Sequence, residues 1–260
     1  MTYSSIKQRS EGNIAYLALN QPQRRNALDD VMIRELTESL AAINRNSAIR
    51  VVVLTGEGNA FCAGMDLGYL SKFSQLGEHE NLEDARNFLN VLQALHNLKK
   101  PVIAMVNGPA LGGGCGLASA CDFVMASKEH AKLGVPEVRI GFVPAVILVF
   151  LIRRMGEGSA QEFVLQGQIL DADEACRKGL VTEVVAHERL EEKVAAFAAG
   201  LADSTSSTSI SLTKELLGRL SEMPLPDALD FAVNLNALAR KTDDFKKGIE
   251  SFLQKKDLKW

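Results

Sequence analysis

The 260-residue chain lacks a charge excess of either sign. Its 29 Lys and Arg stand against 32 Asp and Glu, a formal net charge of −3, so no nucleic acid and no acidic membrane surface is expected as partner. It lacks a long hydrophobic run. The nearly apolar stretch 140–152 is too short to span a bilayer, holds Pro144 and is flanked by Arg139 and Arg153; it reads as a buried helix or a pocket wall. The first thirteen residues show no apolar signal core. Cysteine is scarce and has no CxxC spacing: Cys62, Cys115, Cys121 and Cys176 read as small buried hydrophobes in a reducing compartment. The four histidines are scattered, with no i, i+4 pair and no Cys/His cluster, so no metal site is expected. His79 reads as an exposed loop histidine in a stretch expected to cap a pocket. The expectation is a cytoplasmic protein.

What is present is an alternation. Apolar runs at 14–19, 51–55, 102–106, 123–126 and 181–185 have the unbroken character of strands covered on both faces. Between them Met32, Leu36, Leu40 and Ile43 fall at helical spacing behind Asp29, a candidate N-cap. Leu82, Ala85, Phe88, Leu89, Leu92 and Leu95 form a second stripe that stops before Pro101. Strand and helix in alternation predict an α/β fold. Beyond Gly200 only helical signals remain, after a Ser/Thr cluster at 204–211 that reads as a connection. Residues 1–200 are therefore assigned to the α/β body and 201–260 to a helical segment, which buries too little to fold alone. Its lysines (Lys246, Lys247, Lys255, Lys256 and Lys259) read as a solvated helix end.

Three segments carry chemistry. Gly112-Gly113-Gly114 follows a strand and opens a short helix. Glycines admit close backbone approach, and the free N–H groups at a helix start suit an anion or a developing oxyanion; a tight turn for helix–strand packing is the alternative. It is not a dinucleotide fingerprint, because Leu117 stands where a third glycine is needed. The segment 56–66 also leaves a strand through glycines. The segment 134–144 sets one carboxylate, Glu137, among apolar neighbours, where a salt bridge to Arg139 is the plainer role.

In this order the three segments resemble the crotonase (enoyl-CoA hydratase/isomerase) superfamily. Phe61-Cys62-Ala63-Gly64-Met65-Asp66 is similar to its first oxyanion-hole motif and Asn107-Gly108-Pro109-Ala110-Leu111-Gly112-Gly113-Gly114 to its second. Pro136-Glu137 with Ile140-Gly141 matches the segment bearing a catalytic glutamate. Arg25-Asn26-Ala27-Leu28 is similar to the CoA-contacting loop, and residues 248–256 to the C-terminal helix. The resemblance implies an α/β spiral of repeated β-β-α units with a C-terminal helical trimerisation segment. It further implies an acyl-CoA thioester as substrate, no separate cofactor, and a homotrimer or a hexamer built as a dimer of trimers. The backbone N–H groups of Met65 and Gly113 would hold the thioester oxygen, each worth about 3–4 kcal/mol in the transition state. Ala63, Asp66 and Gly112 would contact the substrate beside those donors, with Asp66 fixing its loop rather than reacting. Arg24, Arg25, Ala27, Phe252 and Lys255 match positions near the CoA.

The chain departs from the family at two places. Well-studied hydratases hold water between two glutamates, and the position of the first is Gly116 here; only Glu137 remains. The family's glycine pair after Pro144 is also missing, replaced by 145–150. Burial of Glu137 among Val135, Val138 and Phe142 is expected to raise its pKa, with Arg139 opposing. The reading adopted is enoyl-CoA hydratase with Glu137 as general acid/base. A 3-enoyl to 2-enoyl isomerase using Glu137 alone is the alternative, and a non-catalytic acyl-CoA-binding scaffold a third.

Overall fold

The computed structural model describes residues 3–73, 75–220 and 222–260. A hairpin opens the chain. In β1 (Ile6–Glu11) only Ile6 is buried, while all six residues of β2 (Ile14–Leu19) are. The polar strand is the edge, and the apolar one is covered on both faces. After α1 (Asp30–Arg45), which Asp29 caps by accepting from Met32 N at 3.0 Å, the chain returns as β3 (Val51–Gly56). Two helices, α2 (Leu67–Phe73) and α3 (Glu78–His96), precede β4 (Val102–Val106). Short β5 (Ala110–Leu111) runs into α4 (Gly113–Ala120), then β6 (Phe123–Ser127) and β7 (Lys132–Gly134). The next four elements are α5 (Ala145–Met155), α6 (Glu157–Leu165), β8 (Ile169–Asp171) and α7 (Ala172–Arg177). The body closes with β9 (Glu183–Val185) and α8 (His187–Ser204), and α9 (Ser207–Leu220), α10 (Leu225–Ala239) and α11 (Asp243–Leu253) follow.

The main sheet has the order β1-β2-β3-β4-β6-β9, parallel except for the β1/β2 hairpin, and a second sheet has the order β5-β7-β8. Because strand side chains alternate between faces, Tyr16, Val51, Val53, Ile103 and Met125 meet Val194, Ala198 and Ala202 of α8 on one side. On the other, Leu17, Leu19, Val52, Leu54 and Ala104 meet Met32, Leu36 and Leu40 of α1 with Leu92 and Leu95 of α3. Two covered faces explain why the strands read as unbroken apolar runs.

Three expectations need correction. The cluster 204–211 is not a loop: α8 runs to Ser204 and α9 starts at Ser207, with the Ser206 hydroxyl accepting from Ser209 N at 3.0 Å. Hydroxyl residues there cap a helix rather than break one. The stretch 140–152 is not buried all round. Ile147, Phe150 and Leu151 of α5 are buried, but Ile140, Val143 and Val149 are exposed at 66, 65 and 55%. The boundary drawn at residue 200 falls inside α8, whose Ala202 is still in the core.

Candidate active site

β3 and β4 are parallel neighbours, so the loops leaving their carboxyl ends lie side by side. The first loop is held by Asn26, a fully buried side chain in a turn where Arg25 and Asn26 both have positive φ. Its amide donates to Glu57 O at 2.9 Å and Ala60 O at 2.8 Å, and its carbonyl accepts from Gln21 N at 2.9 Å. Ala63 N donates to Arg25 O at 2.9 Å. Leu28 then clamps residues 64–66: its N–H donates to Gly64 O at 2.8 Å and its carbonyl accepts from Asp66 N at 2.9 Å. In such a pairing the residue between the two bonded ones turns its own N–H to the opposite side. That residue is Met65.

The second loop is stitched to the first. Cys62 N donates to Pro109 O at 3.0 Å, and Cys62 O accepts from Leu111 N at 2.9 Å. Gly114 leaves no room for a side chain, since a Cβ there would lie 2.3 Å from Cys62 O. Gly113 is the first residue of α4, where the N–H has no partner within the helix. A Cβ on Gly64 would sit 3.5 Å from Gly113 N; standard bond lengths then bring the amide nitrogens of Met65 and Gly113 within about 7 Å of each other.

The second sheet delivers the carboxylate. Gly112 N donates to Gly134 O at 2.8 Å, so β7 lies beside Gly112 and a single 3₁₀ turn, Glu137–Ile140, follows it. Gly112 adopts φ 50°, ψ −120°. A Cβ on it would lie 2.9 Å from Oε1 of Glu137 and 3.4 Å from its Cδ, so the carboxyl rests on bare glycine. Its Oε2 is buried and has no hydrogen-bond partner among the described residues. Burial pushes the Glu137 pKa up, opposed by a hydrogen bond from its own backbone.

Arg139 does not pair with Glu137: it donates to Gln166 O at 3.3 Å. Of the three neighbours expected to bury the carboxylate, Val135 is fully buried, while Val138 and Phe142 are 38 and 48% exposed.

Arg24 bridges Asp66 at 2.6 Å and Asp29 at 3.1 Å. Asp66 is held below the usual carboxylate range first by Arg24 and then by Tyr69 N, which donates to it at 2.7 Å. Arg25 is exposed and Ala27 buried, and both stay within the Asn26 turn. Phe252 and Lys255 are not brought to this place within the protomer. Phe252 lies in the last turn of α11, which packs on α9, and Lys255 follows the helix end; Phe252 is 82% exposed.

Sequence reasoning passed over Asn26 as a side chain, Leu28 and Ile147. For the first, asparagine was a usable signal, because it is among the few non-glycine residues that tolerate the positive φ it adopts here. Ile147 gave none, because its contact is to Gly116, far away in the chain: a Cβ on Gly116 would lie 2.2 Å from Ile147 Cγ2.

Among the described residues, five cavities of ≈ 290–630 Å³ lie elsewhere, and Met65, Gly113 and Glu137 line none of them. No group of three or more His, Cys, Asp or Glu among the described residues is placed to hold a metal. No helix among them is long and apolar enough to cross a membrane.

Residues 9–260 match the family described as enoyl-CoA hydratase/isomerase. A Thermus thermophilus protein provisionally named an enoyl-CoA hydratase is 40% identical over 246 residues, 95% of this chain and 96% of the relative. The crotonyl-CoA hydratase of Syntrophomonas wolfei is 33% identical, with 98% and 97% covered. The crystal structure of an enoyl-CoA hydratase from Bacillus anthracis superposes with a TM-score of 0.90 at 31% identity, covering 98% of both chains. With a match over nearly its whole length and a shared crotonase fold, the chain belongs to the enoyl-CoA hydratase/isomerase family.

Proposed function

We propose that this enzyme adds water across the 2,3 double bond of an enoyl-CoA thioester with Glu137 as its one acid/base group. The observation that carries the reading is the seat of Glu137: its carboxyl touches Gly112, the residue before the Gly113 amide, with one oxygen buried and unpartnered. The amides of Met65 and Gly113 take the thioester oxygen. Each such donor contributes about 3–4 kcal/mol, because charge builds on that oxygen only as the enolate forms.

As water attacks C3, Glu137 takes one of its protons and the double-bond pair moves onto the thioester. The enolate oxygen rests between the two amides. Glu137 then returns its proton to C2, the enolate collapses, and the carboxylate is regenerated. Coenzyme A arrives as part of the substrate, and no other cofactor is needed. Asp66, held by Arg24 and Tyr69 N, shapes the loop that carries Met65. Arg24, Arg25 and Ala27, with Phe252 and Lys255 from a neighbouring protomer of a trimer or hexamer, contact the CoA. The reaction belongs to the cytoplasm.

The isomerase reading shares every group but takes the proton from C2 and gives it to C4, and a site with one carboxylate suits it. Product analysis in deuterated water with crotonyl-CoA and 3-hexenoyl-CoA separates the two. A 3-hydroxy product is expected; double-bond migration with deuterium uptake and no hydroxylation would replace hydratase by isomerase. Glu137→Gln should lower kcat by about 10²–10⁴-fold, the span of general acid/base catalysis. Near-normal rates would remove Glu137 from the mechanism, and silence of the wild type on every thioester it binds would leave a scaffold.

A further inference from the structure

α4 carries two notches on one face. Gly116 N donates to Gly112 O at 3.0 Å, so the two glycines are stacked one helical turn apart, roughly 5–6 Å. Each notch is filled from the segment that follows β7. Glu137 lies over Gly112, and Ile147, the third residue of α5, lies over Gly116. The fit at the second notch is tight: a Cβ at 116 would stand 2.2 Å from Ile147 Cγ2 and 2.9 Å from Ile147 Cβ. No side chain can therefore be carried at 116 while Ile147 stays in place. Ile147 is 3% exposed, and Leu92, 3.9 Å from the same Cβ position, is fully buried, so the space over Gly116, one turn from the seat of the carboxyl, is filled by hydrocarbon.

We propose that Ile147 is a positioning residue for the hydration, a plug over Gly116 that denies Glu137 any polar neighbour or extra water on that side and so keeps its buried oxygen free for the reacting water. The proposal rests on the role given to Glu137. The other groups facing the carboxyl do not supply a competing charge. Cys115, from α4, is a buried thiol pushed up to about 12 and stays neutral. Arg139, on the same turn, is committed to Gln166 O. On α5 the charges Arg153 and Arg154 sit two turns further along, engaged with Glu222 and with Cys121 O.

The test compares Ile147→Thr with Ile147→Val. Both lose the same terminal methyl and have nearly the same shape, so only the hydroxyl distinguishes them. The profile of kcat/KM against pH is measured for each, with KM and Tm. The valine variant is expected to keep the wild-type acidic limb. In the threonine variant the hydroxyl, directly or through a water that it recruits, is expected to donate to the carboxylate, which favours its charged form. Its acidic limb should move down by about half a pH unit or more, with kcat several-fold lower and KM within about twofold.

Identical limbs for the two variants would overturn the proposal and reduce Ile147 to packing. Should Ile147→Thr not fold, Ile147→Ala serves, because the void admits water and the limb should move the same way. If Glu137→Gln retains its rate, the fault lies with the role of Glu137. If it is inactive while the Ile147 profiles coincide, only the plug is wrong.

Discussion

Gly112 has two separate reasons to be glycine. Its φ of 50° with ψ of −120° is a conformation that side chains do not tolerate, and a methyl group there would press on Glu137 Oε1 at 2.9 Å. Gly112→Ala should therefore cost about 1–3 kcal/mol of stability from the backbone alone. It should also lower kcat by more than tenfold, because the carboxyl must move and an ångström of misplacement is costly. Denaturant unfolding and steady-state turnover separate the two effects, and a stable, fully active alanine variant would contradict both. Much of this scale was legible beforehand. The glycine triplet, Met65 and Glu137 announce themselves as short local motifs, and the structure sets their segments side by side. Ile147 did not, because nothing in a run of apolar residues says which one reaches a glycine on another helix. Arg139 misled for a related reason: adjacency in sequence implied a pair, but the 3₁₀ turn sends its guanidinium to Gln166 O.

Among the elements, those fixed by dense local patterns were readable and those fixed by partners were not. β2, β3 and β4 follow from unbroken apolar runs, and α1 from its stripe and the Asp29 cap. β1 was missed because an edge strand with one buried residue has no period to detect. β5, β7 and β8 are two or three residues long and exist through one another, yet their small sheet is what sets Glu137 beside Gly112. α9 illustrates docking by polar contacts: it buries no residue fully, and Lys214 ties it to the body through Lys100 O at 3.1 Å and the carboxylate of Asp122. That lysine is 12% exposed and Asp122 27%, so its loss leaves a poorly solvated carboxylate. Asp122 keeps a second donor in Val102 N at 2.7 Å, which limits the damage. Lys214→Met should cost about 1–2 kcal/mol, below the range for fully buried pairs. Hydrogen exchange should speed up in α9 while kcat stays near wild type. Unchanged protection of α9 would show that its docking does not depend on this contact.

As a whole molecule the protomer leaves a good deal of hydrocarbon uncovered at its C-terminal helices. Leu225, Leu229 and Val233 of α10 are exposed at 72, 58 and 68%, and Phe252 and Leu253 of α11 at 82 and 76%. Leu225, Leu229 and Val233 lie four residues apart and so share one face of α10, the kind of apolar stripe expected to pack on a partner, and these two helices bury only Ala228 within the chain. A second copy covering them would also bring the otherwise stranded Phe252 and Lys255 to a neighbour's CoA, as proposed above. Light scattering on the purified protein should then give a trimer or hexamer. Val233→Asp with Leu229→Lys should shift it to monomer and reduce kcat/KM, whereas Phe252→Ala, which leaves α10 intact, should stay assembled. Its KM for the CoA thioester should rise several-fold with kcat little changed, because a contact to a remote part of the substrate contributes to ground and transition states alike. If Phe252→Ala instead leaves KM untouched in a fully assembled protein, the tail takes no part in binding substrate, and α11 serves the interface alone.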